Sequence, residues 1–411
     1  MLLVPALTKM AYTASLTIVV TIVNKNEGDP MRRTYLVAAI ALVLSQIQAA
    51  QAQTPLYTSP PPPWINGEAR MGDVAPYEVL SDRRITFRFK AADAQSVQVS
   101  VGSAHADLHT YAMTKDDKGV WSTTIGPVNP EIYPYSFKLA GASVERGMFE
   151  VKGDAPALYD AQDVPHGSIT TLPYFSKAMN KRREMKVYLP PQYYSEPNRR
   201  FPVVYYYDDA GNGAGMRYGE LMDNLIAQKK AVPMVIVFLT DLANVEFRKD
   251  TEAGRVKDGE ELVQDIIPIV ESQFRALPDR NDRALAGISH NAGATWTAGT
   301  SHLDTFGSLG MLSSGMFGGL LPDPTPGGFA LYAPWQPDKV LPDATKRLNA
   351  TKPKLFYISV GNIDPRVDPT RKGVQEMETY GVKPVFEVYP GGHQAHAFRP
   401  AFISFVSKLF K

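Results

Sequence analysis

The stretch Ala286-Gly287-Ile288-Ser289-His290-Asn291-Ala292-Gly293 decides how the rest of the chain is read. An apolar run, Leu285-Ala286-Gly287-Ile288, stops at a serine, and residues 291–299 continue in a composition rich in Ala, Gly and Thr that suits a closely packed helix start. Two readings compete. As a plain helix N-cap, Ser289 accepts a hydrogen bond from an orphan backbone N–H and needs no chemistry. As the serine of a sharp strand-to-helix turn, it stands above the C-terminal edge of a sheet. The N–H of His290 then faces the same space at a helix N-terminus, which is half an oxyanion hole. The pattern G-x-S-x-G is short, and its last position here is Asn291, so the motif alone does not choose.

Its surroundings do. Near-continuous apolar strands are expected at 201–207, 234–239, 284–288, 308–312, 355–360 and 385–389, and helix-period segments separate them. Burial on both faces with helical crossovers is the signature of a parallel sheet. One crossover, residues 260–274, places Leu262, Ile266, Ile267 and Val270 on a single helical face, with Pro268 expected to kink it. A serine hydroxyl is a poor nucleophile unless a histidine takes its proton and a carboxylate orients that histidine. Strand 355–360 runs into Gly361-Asn362-Ile363-Asp364, and strand 385–389 into Pro390-Gly391-Gly392-His393. An acid and an imidazole thus follow the serine in the order of α/β-hydrolases, each just past a strand's C-terminal end, where open α/β sheets bind ligands. Ser289, Asp364 and His393 are the candidate catalytic residues. Asp368 is the rival acid, farther from its strand, and His396 the rival imidazole. His393 and His396 spell His-x-x-His, but without cysteine or an H-E-x-x-H run no metal and no cofactor is expected.

A chain of 411 residues has room for two or three domains and a large core. Lys and Arg total 43 against 42 Asp and Glu, so no broad basic surface is available to neutralise phosphates, and nucleic acid is not an expected partner. The absence of cysteine removes thiolate catalysis and disulfides. From Met31, the order Arg32-Arg33, an apolar stretch 36–44 and Ala50-Gln51-Ala52 matches a secretory signal with its cleavage site. Residues 1–53 are therefore expected to be a leader with Met31 as the true start, and the mature protein to be secreted or periplasmic. An earlier apolar run, 16–23, is shorter than the roughly 20 residues a spanning helix needs. A retained membrane anchor is the competing reading of this end; no stable span is expected in the mature chain. Residues 54–71, with Ser59-Pro60-Pro61-Pro62-Pro63-Trp64, read as an extended linker. In residues 72–155, alternation returns in bursts at 84–89, 97–101, 120–125 and 133–139, the pattern of a small antiparallel sandwich. Residues 156–411 form the α/β domain.

Residues 286–315, together with 361–364 and 390–393, resemble the esterase family of α/β-hydrolases that includes feruloyl and acetylxylan esterases, siderophore esterases and mycolyltransferases. The similarity extends back through His166-Gly167-Ser168-Ile169 and segments 183–191, 201–207 and 223–226. Residues of about 72–152, including Met113-Thr114-Lys115-Asp116 and Gly119-Val120-Trp121-Ser122, look like the immunoglobulin-like module, related to glycogen-type carbohydrate-binding domains, that precedes many secreted members. The resemblance implies an α/β-hydrolase fold, a mostly parallel sheet flanked by helices, behind an all-β immunoglobulin-like sandwich with a carbohydrate contact. It implies a serine esterase acting on acyl or feruloyl esters of carbohydrate or related small esters through an acyl-enzyme. Ser289 is then nucleophile, Asp364 acid and His393 base.

Two positions depart from the family pattern. After the first hydrolase-domain strand many relatives have His-Gly and a Gly-rich loop whose N–H completes the oxyanion hole, where this chain has Asp208-Asp209-Ala210-Gly211-Asn212-Gly213. Two inward carboxylates would oppose a developing oxyanion. Siderophore-type relatives tend to carry Asp at the first place, so Asp209 is the odd one, and Ala210 is expected as second donor beside His290. The other departure is Asn291 for Gly, whose crowding Ala292 and Gly293 are expected to relieve. Asp208, Asp209 and the aromatics Phe329, Tyr332 and Trp335 of the 318–337 loop are candidate substrate contacts; the aromatics serve equally well as loop packing. Trp121 is expected in the sandwich core. Two other functions use the same residues: a carbohydrate-binding scaffold on a degenerate hydrolase fold, and acyl transfer to an alcohol.

Overall fold

In the N-terminal part, two four-stranded antiparallel sheets pack face to face, as given by a computed structural model of the chain that describes residues 74–102, 108–208, 215–239, 252–289, 291–313, 321–322, 329–330 and 337–411. The expected leader 1–53 and linker 54–71 lie outside the described residues. One sheet has the order β1 (Tyr77–Val79), β2 (Ile85–Lys90), β6 (Val120–Ile125), β5 (Thr114–Lys115); the other has β4 (His109–Ala112), β3 (Val97–Val101), β7 (Glu131–Leu139), β8 (Ala142–Val151). Alternation explains the packing. Ile85, Phe87 and Phe89 point inward against Val99, Phe137 and Phe149, while Thr86 and Arg88 face outward. Trp121 is buried in this core, its indole N–H donating to the Ala91 carbonyl at 2.9 Å, so it presents no flat face to a sugar.

The C-terminal part is built on an eight-stranded sheet. Its order is β18 (Val385–Tyr389), β17 (Leu355–Gly361), β14 (Ser308–Leu312), β13 (Arg283–Ile288), β11 (Val203–Tyr207), β12 (Val235–Leu239), β10 (Lys181–Leu189), β9 (Ser168–Ser176). Six strands run parallel, and the β9–β10 hairpin adds antiparallel at one end. Every residue of β11 is buried: Val203, Tyr205 and Tyr207 pack on one face, Val204 and Tyr206 on the other. The six expected strands are present; those at 308–312 and 385–389 match to the residue, and the others differ by one or two residues at one end. A two-residue pair, β15 (Leu321–Pro322) and β16 (Phe329–Ala330), stands apart from the sheet.

Helices cover both faces. On one side lie α2 (Glu252–Glu261), α3 (Ile267–Gln273), α4 (Asn291–Ser301), α5 (Pro337–Ala350) and α6 (Val367–Thr379); on the other lie α1 (Tyr218–Ala227) and α7 (Ala395–Lys408). The crossover expected at 260–274 begins at Glu252, and Pro268 does not break it. Leu262–Ile266 widens into a π turn instead, which accommodates a residue that has no N–H for the ladder and whose ring crowds the preceding turn. No helix among the described residues is long and apolar enough to cross a membrane.

Candidate active site

Three strand ends build the site. Leaving β13, Ser289 adopts φ +57°, the left-handed region that side-chain-bearing residues rarely occupy. Its N–H donates to Leu312 at the end of β14 (2.9 Å), and its carbonyl accepts from Ala292 in the first turn of α4 (3.1 Å). Such a turn requires strand and helix to approach closely, and Gly287 permits it: a Cβ there would lie 2.5 Å from both the Asn291 carbonyl and the Thr295 hydroxyl. Where the family pattern has Gly, Asn291 adds a side chain to the same turn. That side chain is buried, and its Oδ1 has no partner among the described residues.

Beyond β17 and β18 the chain forms two interlocked loops. Asn362 gives its N–H to Tyr389 (2.7 Å) and takes the Gly391 N–H on its side chain (2.8 Å), while Ile363 donates to the Gly391 carbonyl (3.1 Å). Gly391, at φ +111°, leaves room for His396, whose Nε2 would lie 2.1 Å from any Cβ at that position. Locked together, the loops set Asp364 beside His393. The Asp364 Oδ2 accepts from His393 Nδ1 at 2.7 Å, and His393 Nε2 lies 2.6 Å from Ser289 Oγ. A buried carboxylate only accepts, so Nδ1 carries the ring proton, and the hydroxyl of Ser289 donates to Nε2. The Phe398 ring backs the imidazole edge-on, its centroid 4.9 Å away.

Asp364 is fully buried, and its second oxygen takes the Arg366 N–H at 2.9 Å and the guanidinium at 3.0 Å. Burial pushes its pKa up; the His393 hydrogen bond and the Arg366 charge and N–H outweigh that and hold it below the ordinary carboxylate value. Of the rivals, Asp368 is exposed in the first turn of α6, and His396 engages the Gln394 side-chain amide at 3.3 Å. The structure thus brings together Ser289, His393 and Asp364. Arg366 was not anticipated, because a cation two residues past an acid reads as an ordinary surface charge.

The remaining expected site residues fall differently. Asp208 follows β11, gives its N–H to Leu239 at 3.1 Å, and is buried with its carboxylate bonded by the Tyr218 hydroxyl; the expected substrate contact is engaged within the protein. Phe329 lies in β16. Asp209, Ala210, His290, Tyr332 and Trp335 lie outside the described residues.

A sequence profile of the family described as Putative esterase matches residues 176–409. The chain is 28% identical over 263 residues to an endo-1,4-beta-xylanase/feruloyl esterase of Xylanibacter ruminicola, covering 58% of this chain and 36% of that protein. It therefore spans about a third of that relative's length. Among solved structures, the enterobactin esterase of Shigella flexneri aligns with TM-score 0.56 at 13% identity, covering 81% of this chain and 95% of its own. A ferulic acid esterase of Anaeromyces mucronatus aligns with TM-score 0.50 at 22% identity, over 62% of this chain and 96% of its own. At these identities the likeness is one of fold, and the first alignment reaches beyond the eight-stranded part into the sandwich. With the profile covering more than half its length, the chain belongs to this esterase family of α/β-hydrolase fold.

Proposed function

We propose that the protein is a secreted serine esterase that works through an acyl-enzyme, with Ser289 as nucleophile, His393 as general base and acid, and Asp364 as orienting carboxylate. The observation that carries this reading is the unbroken hydrogen-bonded relay from the Ser289 hydroxyl through His393 to a buried carboxylate whose other oxygen Arg366 grips. Ser289 Oγ attacks the ester carbonyl as its proton passes to His393 Nε2. The imidazolium is stabilised by Asp364 and then protonates the departing alcohol. Water, activated by the same imidazole, releases the acid. The N–H groups of His290 and Ala210 are proposed as oxyanion donors. The Asp208 carboxylate is bonded by Tyr218, while Asp209, the odd residue of that family departure, lies outside the described residues.

The proposed substrates are acyl or feruloyl esters of carbohydrate or related small esters, supported by the name of the Xylanibacter relative. Secretion rests on the signal pattern after Met31. The proposed organisation has the leader at 1–53, the linker at 54–71, an immunoglobulin-like module at 72–155 and the hydrolase at 156–411. The test pairs fluorophosphonate labelling with turnover of methyl ferulate and acetylated xylo-oligosaccharides. Wild type should be labelled at Ser289, and Ser289→Ala should lose labelling and on the order of 10⁶ in kcat with its fold intact. Turnover that survives the substitution would sink the assignment.

A further inference from the structure

Neighbouring strands of the sandwich, β7 and β8, carry two carboxylates, Glu131 and Glu150, and each is taken by an arginine of the hydrolase part. Arg399 of α7 is buried. Its Nη1 and Nη2 donate to the two oxygens of Glu131 at 3.0 and 2.5 Å, its Nε donates to the Gly215 carbonyl at 2.9 Å, and its guanidinium lies 4.0 Å over the Tyr159 ring. Arg217 donates to Glu150 at 3.1 and 2.6 Å and to Asp160 at 3.3 Å, and Lys152 completes the group at 2.9 Å from Glu150 and 2.8 Å from Asp160. Beneath them, Ile132 and Met148 are buried with Tyr159 in a small apolar cluster. The Gly215 backbone rests on it, so closely that a Cβ there would lie 3.2 Å from Ile132 and 3.4 Å from Met148.

Arg399 holds the Gly215 carbonyl, and Arg217 is itself the residue that precedes α1. Gly215 and Arg217 lead into α1, whose first residue, Tyr218, bonds Asp208 just beyond β11. Ala210, the proposed oxyanion donor, lies in sequence between Asp208 and Gly215. Arg399 directly follows Phe398, the ring that backs His393. One buried guanidinium therefore links the sandwich to α7, the helix that follows His393, and to the Gly215 backbone ahead of α1. A bidentate arginine fixes orientation as well as distance, which a general apolar contact between modules would not do.

We propose that Glu131 and Glu150 are positioning residues for ester hydrolysis: acting through Arg399 and Arg217, the sandwich edge holds His393 and the approach to the oxyanion loop in register with Ser289. This rests on the esterase reading of Ser289. The test uses full-length Glu131→Gln, Glu150→Gln and the double variant with methyl ferulate. Competent sites are counted by fluorophosphonate titration carried to completion, and Trp121→Phe serves as a sandwich variant remote from this edge. Each single variant should lose about tenfold in kcat per titrated site, the double variant more, with KM within about twofold, as expected when geometry rather than binding is disturbed. Glu131→Asp should recover part of the loss. Unchanged kcat per site in the folded double variant would overturn the proposal, as would an equal fall in Trp121→Phe. Wild-type protein without Ser289-dependent turnover would sink the esterase reading itself, and this proposal with it.

Discussion

The sandwich and the eight-stranded sheet place their polar residues by different rules. Each sandwich sheet buries one face, so aromatics such as Phe87, Phe137 and Phe149 fill the interior in edge-to-face contacts, and charged residues line the strands themselves. Glu131 and Glu150 use that freedom to grip the neighbouring module. The parallel strands inside the outermost one, β18, are buried on both faces and have no outward row for polar groups. The reactive side chains of that sheet stand just past the ends of β13, β17 and β18, at one rim. Chemistry gathers at the edge of the sheet whose inner strands have no free face, and adhesion along the strands of the sheet that has one.

Substitutions can break or sharpen that contrast. The largest effect should come from the rim. Asp364→Asn removes the acceptor that fixes the His393 tautomer and should lower kcat on the order of 10⁴-fold, and because it strips the buried Arg366 of its counter-charge it should also lower the melting temperature, read by steady-state kinetics beside calorimetry. Gly287→Ala should cost about 1–3 kcal/mol of stability, because the new Cβ meets the backbone of α4; urea unfolding measures it, and a neutral result would show that strand and helix can part freely. In the sandwich, Trp121→Phe should cost about 1–2 kcal/mol through the lost Ala91 hydrogen bond and the smaller ring, with kcat on a soluble ester unchanged. Reduced turnover at full stability would erase the distinction between the two regions.

The smallest effect concerns Glu387, on the outermost parallel strand. It accepts from Ser404 at 2.6 Å, Tyr357 at 2.8 Å, Lys408 at 2.9 Å and the Tyr389 hydroxyl. Burial raises its pKa, but these donors bring it down from 4.5 to about 2. A depressed carboxylate stabilises the fold at pH above its unfolded value, and that contribution fades as pH falls from about 4.5 toward about 2. The melting difference between wild type and Glu387→Gln should be less than about 1 kcal/mol near neutrality. It should narrow as pH drops below 4.5; a gap that widens in acid would contradict the assignment.

How much of this was legible in the sequence follows the same physics. Strands buried on both faces are mostly apolar runs, which makes five of the six parallel strands readable almost to the residue; β18, partly exposed, is legible as a β-branched and aromatic run around Glu387, and the rim that carries Asp364 and His393 follows from them. The β9–β10 hairpin was missed because one face is solvated and Lys181-Arg182-Arg183-Glu184 reads as a charged turn, although it opens β10. The first turns of the crossover escaped notice because residues from Glu252 to Glu261 are mostly polar; Asp258 is nonetheless buried, its carbonyl accepting from the Tyr207 hydroxyl at 3.2 Å. The grip of Arg399 on Glu131 joins residues 268 positions apart, a pairing no local pattern announces.

The dihedral of Ser289 has one more implication. A left-handed residue with a side chain is held against a local preference of about 1–2 kcal/mol, and glycine would relieve it. The same turn that strains the backbone sets the hydroxyl 2.6 Å from His393 Nε2, so local ease and reactivity ask for different residues at this position.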